Sequence, residues 1–350
     1  VSAQRSDPSN RRSSSLGRRL GTLGLVLAML AGATAARADT PPSVWERARD
    51  PGVGAAHDLH VAVQRWLSRP IERRIGDREL LEVLARLERF ARTHPEEFAK
   101  SAPLRFDLAY VHLALKNHPR AAELYKAAIA DFPDHPAAED GWFRLAIACG
   151  HIGDHVCERD AYVQVLRLET EEVRRATPTL NFAETQMHLG ELKDAVELYR
   201  EALRIAGRMP PRETIPLAMW GLAIALDRSG DRAGAEHHAR LALQVERSMG
   251  MQGLLRDTNT VFFEPAYEVF WYEGLGAIAR ARDAKTAREA LKHWLLAERS
   301  FDEWVRAASR RNDRWLPIAR ARLAQVTAER ERAEKAAQRE PAPQDQDLQL

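Results

Sequence analysis

Beyond its first forty residues, the sequence has no stretch near the roughly 18 consecutive apolar residues that a membrane-spanning helix needs. Stable membrane insertion is therefore not expected. A surplus of positive charge is missing too. Residues 1–38 carry six Arg and one Asp, which leaves 46 basic against 49 acidic groups, a net of about −3. Nucleic-acid binding is dominated by basic surface, so a near-neutral body with mixed charges argues against it. No Walker loop, nucleophile elbow or paired-histidine zinc-protease motif occurs. Gly274-x-Gly276 lacks the third glycine and the strand context of a nucleotide fold. No catalytic residue, resident metal or cofactor is expected. Cysteine is scarce, with two in 350 residues, while a hydrophobic content of 45% suffices for a sizeable core.

The first forty residues read as an export signal. Arg11, Arg12, Arg18 and Arg19 form a positive region and an apolar run follows from Leu20 to Ala31. Ala36-Arg37-Ala38 then supplies a small–x–small cleavage pattern, which leaves Asp39 as the new N-terminus. The segment Leu30-Ala31-Gly32-Ala33 has Ala where a lipoprotein box needs its acylated Cys, so no lipid anchor is expected. The expected location is the periplasm, with full secretion as the alternative.

The body repeats itself. Ala121, Tyr125 and Ala128 form a small–x3–aromatic–x2–small set, with Leu108-Ala109 upstream and Pro133 closing the unit. Trp142, Leu145, Ala146 and Cys149 open a second unit, which turns at Gly153-Asp154 and runs on to Tyr162. A third has Phe182-Ala183, Gly190, Ala195, Tyr199 and Ala202. A fourth has Leu222-Ala223, Gly230-Asp231, Ala235, Ala239 and Ala242. A fifth has Tyr272, Leu275, Gly276, Ala290, Trp294 and Ala297. Small residues let two helices approach closely, and large ones fill the gaps between turns.

These sets resemble the tetratricopeptide repeat family over about residues 102–302. The resemblance implies an all-α, right-handed α-solenoid of antiparallel helix pairs (a TPR superhelix). Large-residue slots fall at Arg105, Trp142, Thr179, Met219 and Tyr272, spaced 37, 37, 40 and 53 apart. The family norm is about 34, so extra residues belong to connections, the largest as an insertion at 248–264. Arg105 and Thr179 are not aromatic, Glu158 occupies a small slot and Ala239 replaces an aromatic. Residues 39–101 are expected to supply capping helices, read at His57–Leu67 and Arg78–Ala91. Residues 303–339 close the other end, and 340–350 read as a disordered tail.

Five potential ligands crowd one hairpin turn: Cys149, His151, Asp154, His155 and Cys157. Antiparallel helices would bring the two thiols together, so a Cys149–Cys157 disulfide is favoured over free thiols and over a metal site. His151 and His155 read as solvated turn residues, and His57, His60, His237 and His238 as solvated surface. The aromatic run from Phe262 to Tyr272 reads as packing at the joint between repeats four and five, ahead of a lip on the groove.

In this family the first (A) helices line the concave surface. The partner-facing positions then fall at Phe106, Tyr110, Phe143, Ile147, Leu180, Glu184, Trp220 and Ile224. Trp142 and Leu222, by contrast, are expected between helices. A mostly apolar strip on an open face marks a protein-binding surface. The Lys/Asn/Arg carboxylate clamp of some family members is absent. The resulting expectation is an exported, non-catalytic scaffold for a protein or peptide partner of the cell envelope. The alternative is a helical accessory domain or regulator of a cell-wall-acting enzyme.

Overall fold

The computed structural model describes residues 51–69, 77–208, 214–249 and 264–341. The segment read as an export signal, most of the 248–264 insertion and the end of the tail lie outside them. Nearly all described residues belong to one compact unit, Gly54–Leu350, and their regular structure is entirely helical.

Three helices lead in: α1 (Pro51–Leu67), α2 (Asp77–Thr93) and the short α3 (Pro95–Lys100). Five pairs follow. They are α4 (Ala102–Ala114) with α5 (His118–Asp131), α6 (Ala137–His151) with α7 (His155–Leu168), α8 (Ala176–Leu189) with α9 (Leu192–Ala206), α10 (Thr214–Ser229) with α11 (Arg232–Met249), and α12 (Val269–Asp283) with α13 (Ala287–Ser309). A last helix, α14 (Leu316–Arg339), packs on α13. Within each pair the helices pack on each other, and each second (B) helix packs on the next A helix. Connections of two or three residues within the pairs make neighbours antiparallel.

One turn joins the first four pairs. Gly153, Gly190 and Gly230 take left-handed backbone, with φ of 73°, 90° and 94°. The following residue then donates to a carbonyl five positions back: Asp154 to Cys149, Glu191 to Gln186 and Asp231 to Leu226, each at 2.9 Å. This Schellman closure satisfies the orphaned carbonyls at the end of an A helix and reverses the chain. The first pair uses the same bond, from Asn117 to His112 at 2.9 Å. Its left-handed residue, however, is Lys116, with φ 60°. The repeated bond is therefore a better marker of the unit than the glycine.

Packing follows the small–large–small sets. Ala121, Tyr125 and Ala128 are buried, as are Ala195, Tyr199 and Ala202. A Cβ on Gly221 would overlap the Tyr199 ring, so only glycine lets α10 seat on α9 there. Glu158, the misfit in a small slot, is buried and contacts His155 Nδ1 at 2.9 Å. Behind repeat four lies a buried ion pair. Arg228 donates to Glu268 at 2.6 Å, and both side chains are fully excluded from solvent. Its guanidinium lies 4.4 Å from the Trp271 ring centre and 5.0 Å from that of Trp315. Next to it Asp227 accepts from Trp271 Nε1 at 3.0 Å and pairs with Arg322 of α14 at 3.1 Å.

Two stability predictions arise. A left-handed non-glycine residue costs roughly 1–2 kcal/mol, partly offset by the greater chain entropy of glycine. Lys116→Gly should therefore stabilise by about 0.5–1 kcal/mol in urea unfolding, and a loss of stability would contradict the turn assignment. Removing one partner of a buried pair leaves an uncompensated charge, so Arg228→Ala should cost about 3–5 kcal/mol. R228M/E268L, which removes both charges, should recover most of that loss in the same assay.

Candidate partner groove and the turn histidines

The A-helix face of the first two repeats is open. One groove, of about 300 Å³, lies between α1, the start of α4 and the start of α6. Phe106 and Tyr110 line it, with His60, Asp107 and Arg144 among its polar walls. Arg144 lies 4.2 Å over the Tyr110 ring and pairs with Asp140. A second groove, of about 470 Å³, opens where α6 and α8 make little direct contact. A 3-10 turn at Glu172–Arg175 fills the connection there. Phe143, Val165 and Val173 give this groove apolar walls, and Arg174 bridges Glu169 at 2.9 Å and Glu139 at 3.8 Å beside it.

Towards the C-terminus the same face is closed. Trp220 is 1% exposed, Ile224 0%, and Leu180 and Glu184 2% each. These four cannot meet a partner, and their assignment to the groove is corrected. The Trp220 indole donates to Glu246 at 2.6 Å, and its ring meets Tyr272 edge-on at 6.3 Å. Glu184 accepts from the buried Tyr199 hydroxyl. Later helices thus cover what the register of a single repeat presents as concave surface. Phe106 also is mainly core: it is buried, stacks on His135 and closes over Gly141. Tyr110, Phe143 and Ile147 remain half-buried. Leu222 is buried as expected for a joint residue, whereas Trp142 is half-buried.

The fold is a tetratricopeptide-like helical solenoid. No family model matches the sequence, and no curated protein matches it. Solved structures similar to it include MamA from Desulfovibrio magneticus RS-1, 16% identical, with a TM-score of 0.45 over 55% of this chain and 96% of that one. Another is the PilF structure from Pseudomonas aeruginosa, 14% identical, with a TM-score of 0.47 over 73% of this chain and 99% of that one. Similarity this distant adds no weight. The fold stands on its own helix pairs and their shared turn.

The histidines were the least legible residues. His60, expected in solvent, contacts the buried Asp107 at 2.6 Å. Burial pushes the Asp107 carboxyl up to about 6, against the lowering effect of His60 and Gln64. His151 and His155 are not free turn residues. His151 stacks on His118 with ring centres 4.1 Å apart, and His155 on His188 at 4.6 Å. Burial, with His151 alongside, pulls His118 down to about 4. Between these rungs the structure joins Cys149 to Cys157, with Cα atoms 5.9 Å apart and Asp154 capping the Cys157 amide at 3.1 Å. Trp271 and Tyr272 are fully buried at the fourth–fifth joint, while Phe262 and Phe263 lie outside the described residues. No described helix is long and apolar enough to cross a membrane.

Two outcomes test this layout. Trp220→Ala should cost about 3–5 kcal/mol by opening a cavity, and Phe143→Ala about 1 kcal/mol or less, compared by chemical denaturation. Equal losses would place both in the core. The second concerns pH. An unfolded Asp releases its proton near 3.9, while folded Asp107 holds it to about 6. The native state therefore binds more protons between these values, and this group's contribution to stability falls as pH rises through that window. His118 acts oppositely, because its folded form binds fewer protons between about 4 and 6.5. Asp107→Asn should thus gain about 2–3 kcal/mol relative to the parent from about pH 4 to 6.5, read from paired denaturation curves. A constant difference would remove Asp107 from the account.

Proposed function

We propose that the chain is a non-catalytic repeat scaffold that seats a protein or peptide segment along the A-helix face of its first two repeats. The observation that carries this reading is the pair of adjoining grooves, about 300 and 470 Å³, with aromatic walls and charged residues beside them. Tyr110 and Phe143 stand half-exposed in them, each with one edge packed on a core aromatic, Trp66 and Tyr162, and the rest of the ring facing the groove. An apolar cleft bounded by charges suits an extended or helical segment, whose alternate side chains enter the clefts while its polar groups meet Arg144, Arg174 and Asp140. Ile147 lies one turn along α6 from Phe143 and extends the same strip.

The partner belongs to the cell envelope and the scaffold itself is exported. The Arg-rich start, the Leu20–Ala31 run and Ala36-Arg37-Ala38 support export. A disulfide at Cys149–Cys157 suits an oxidising compartment. Intact mass of native material should show two alkylatable thiols only after reduction, and an N-terminus near Asp39. Free thiols, or a mature chain that retains Leu20–Ala31, would refute the location.

The groove is tested by photo-crosslinking from position 143 and, as a control, from the exposed Val163 on α7. A segment captured from position 143 alone, and bound at least about 2 kcal/mol more weakly by Phe143→Ala and Tyr110→Ala, fits a working groove. Equal capture from Val163, or undiminished binding by both variants, would overturn it.

A further inference from the structure

The four turn histidines keep the repeat register. His118 and His155 are 37 positions apart at the starts of successive B helices, and His151 and His188 are 37 apart at the ends of the A helices that follow. Three of them, His151, His155 and His188, line a recess of about 290 Å³ at the turn edge of repeats two and three. Its remaining walls come from Glu264–Tyr267 and from Arg311–Trp315.

Donors outnumber acceptors in this recess. Both lining carboxylates are engaged: Glu264 contacts His151 Nδ1 at 3.1 Å, and Asp313 accepts from the Tyr267 hydroxyl at 2.7 Å and the Trp315 amide at 2.8 Å. On the donor side, Arg311 is exposed, 5.8 Å from the Tyr267 ring centre, and pairs with no carboxylate among the described residues. Arg314 gives one N–H to the His188 carbonyl at 3.0 Å, which leaves most of its fork unused. The His188 side chain is 9% exposed, and its Nε2 is paired with Glu184 at 3.4 Å, which places a buried imidazole in the wall without making that nitrogen a free donor. The buried Trp315 indole N–H also lacks an acceptor. A buried donor without an acceptor is costly, so the Trp315 N–H, in a wall it shares with the uncommitted N–H groups of Arg311 and Arg314, points to a ligand that accepts.

We propose that this recess binds a tetrahedral oxyanion, a phosphate or sulfate group carried free or at the end of a small molecule. Its donors come from three chain segments: the 150–155 turn, His188, and Arg311–Trp315. A carboxylate offers two oxygens and would leave one side unmet, whereas a phosphate or sulfate offers three or four. Guanidinium forks match such oxygens in pairs. The site is separate from the partner groove and stands without it.

The charges that face the histidines set the pH dependence. Glu264 meets His151, Glu158 meets His155, and Glu184, Glu268 and Arg228 surround His188. Burial disfavours the His188 imidazolium, but the contact with Glu184 outweighs it and raises the pKa. Protonation of His188 as pH falls adds positive charge in the wall of the recess and should tighten anion binding.

The test is calorimetric titration of the full chain in dilute chloride buffer. Sulfate serves as the probe because its charge is fixed between pH 6 and 8. Saturable binding is expected, at least about three-fold tighter near pH 6 than near pH 8. Arg311→Gln, an exposed change that should leave the melt intact, is expected to weaken it about ten-fold, the size of one charged hydrogen bond. Inorganic phosphate and glycerol 3-phosphate then separate the sources: tighter binding of the first marks the free ion, of the second an ester. Absence of saturable binding by all three probes, or equal affinity in the parent, Arg311→Gln and Arg314→Gln, would overturn the proposal.

Discussion

Arg228 and Glu268 meet at 2.6 Å in full exclusion from water, and the C-terminal half of the solenoid is arranged around that contact. A buried guanidinium is tolerable only where its charge and N–H groups are met. Glu268 meets the charge. The Nε and Nη1 of Arg228 find no hydrogen-bond acceptor, but its guanidinium lies over the rings of Trp271 and Trp315. Cation–π attraction is stronger in such a desolvated setting than at a surface. Burial pushes the Glu268 carboxyl up, and the arginine and His188 pull it back. The pair joins α10, the segment before α12 and the segment before α14, elements far apart in the chain.

That hub divides the molecule into two kinds of repeat. Repeats one and two are held by alanine–tyrosine packing and leave their A-helix face open, with Tyr110 and Phe143 half in water. Repeats three to five add polar ties. Tyr199 reaches Glu184, Trp220 reaches Glu246, Trp271 reaches Asp227, and Arg322 returns from α14 to Asp227. Each tie satisfies a buried polar group and also draws a later helix over an earlier face. These ties accompany the closure at the C-terminal end.

The turn edge behaves as a third surface. Schellman closures set the ends of successive A helices in register, so histidines 37 residues apart are delivered to equivalent places. Stacking of His118 on His151 and of His155 on His188 then joins each B helix to the A helix after it. Glu264–Tyr267 and Arg311–Trp315 fold against this edge, which brings arginines to histidines from repeats that precede them by more than a hundred positions.

The sequence determined whatever depends on local spacing. Ala–x3–Tyr–x2–Ala sets, turn glycines and recurring A-helix slots dictate helix pairs, since side-chain size and backbone freedom act within one hairpin. The proximity of Cys149 and Cys157, eight residues apart across a two-helix turn, is legible for the same reason. Tertiary structure alone decided which A-helix residues see solvent. Phe143 and Trp220 occupy equivalent positions in their repeats, yet one lines a groove and the other is sealed. What differs is the next helix: α8 stands off from α6 behind a 3-10 connection, whereas Tyr272 of α12 and Glu246 of α11 close on Trp220. Burial is a sum over neighbours distant in sequence, and no single repeat encodes it.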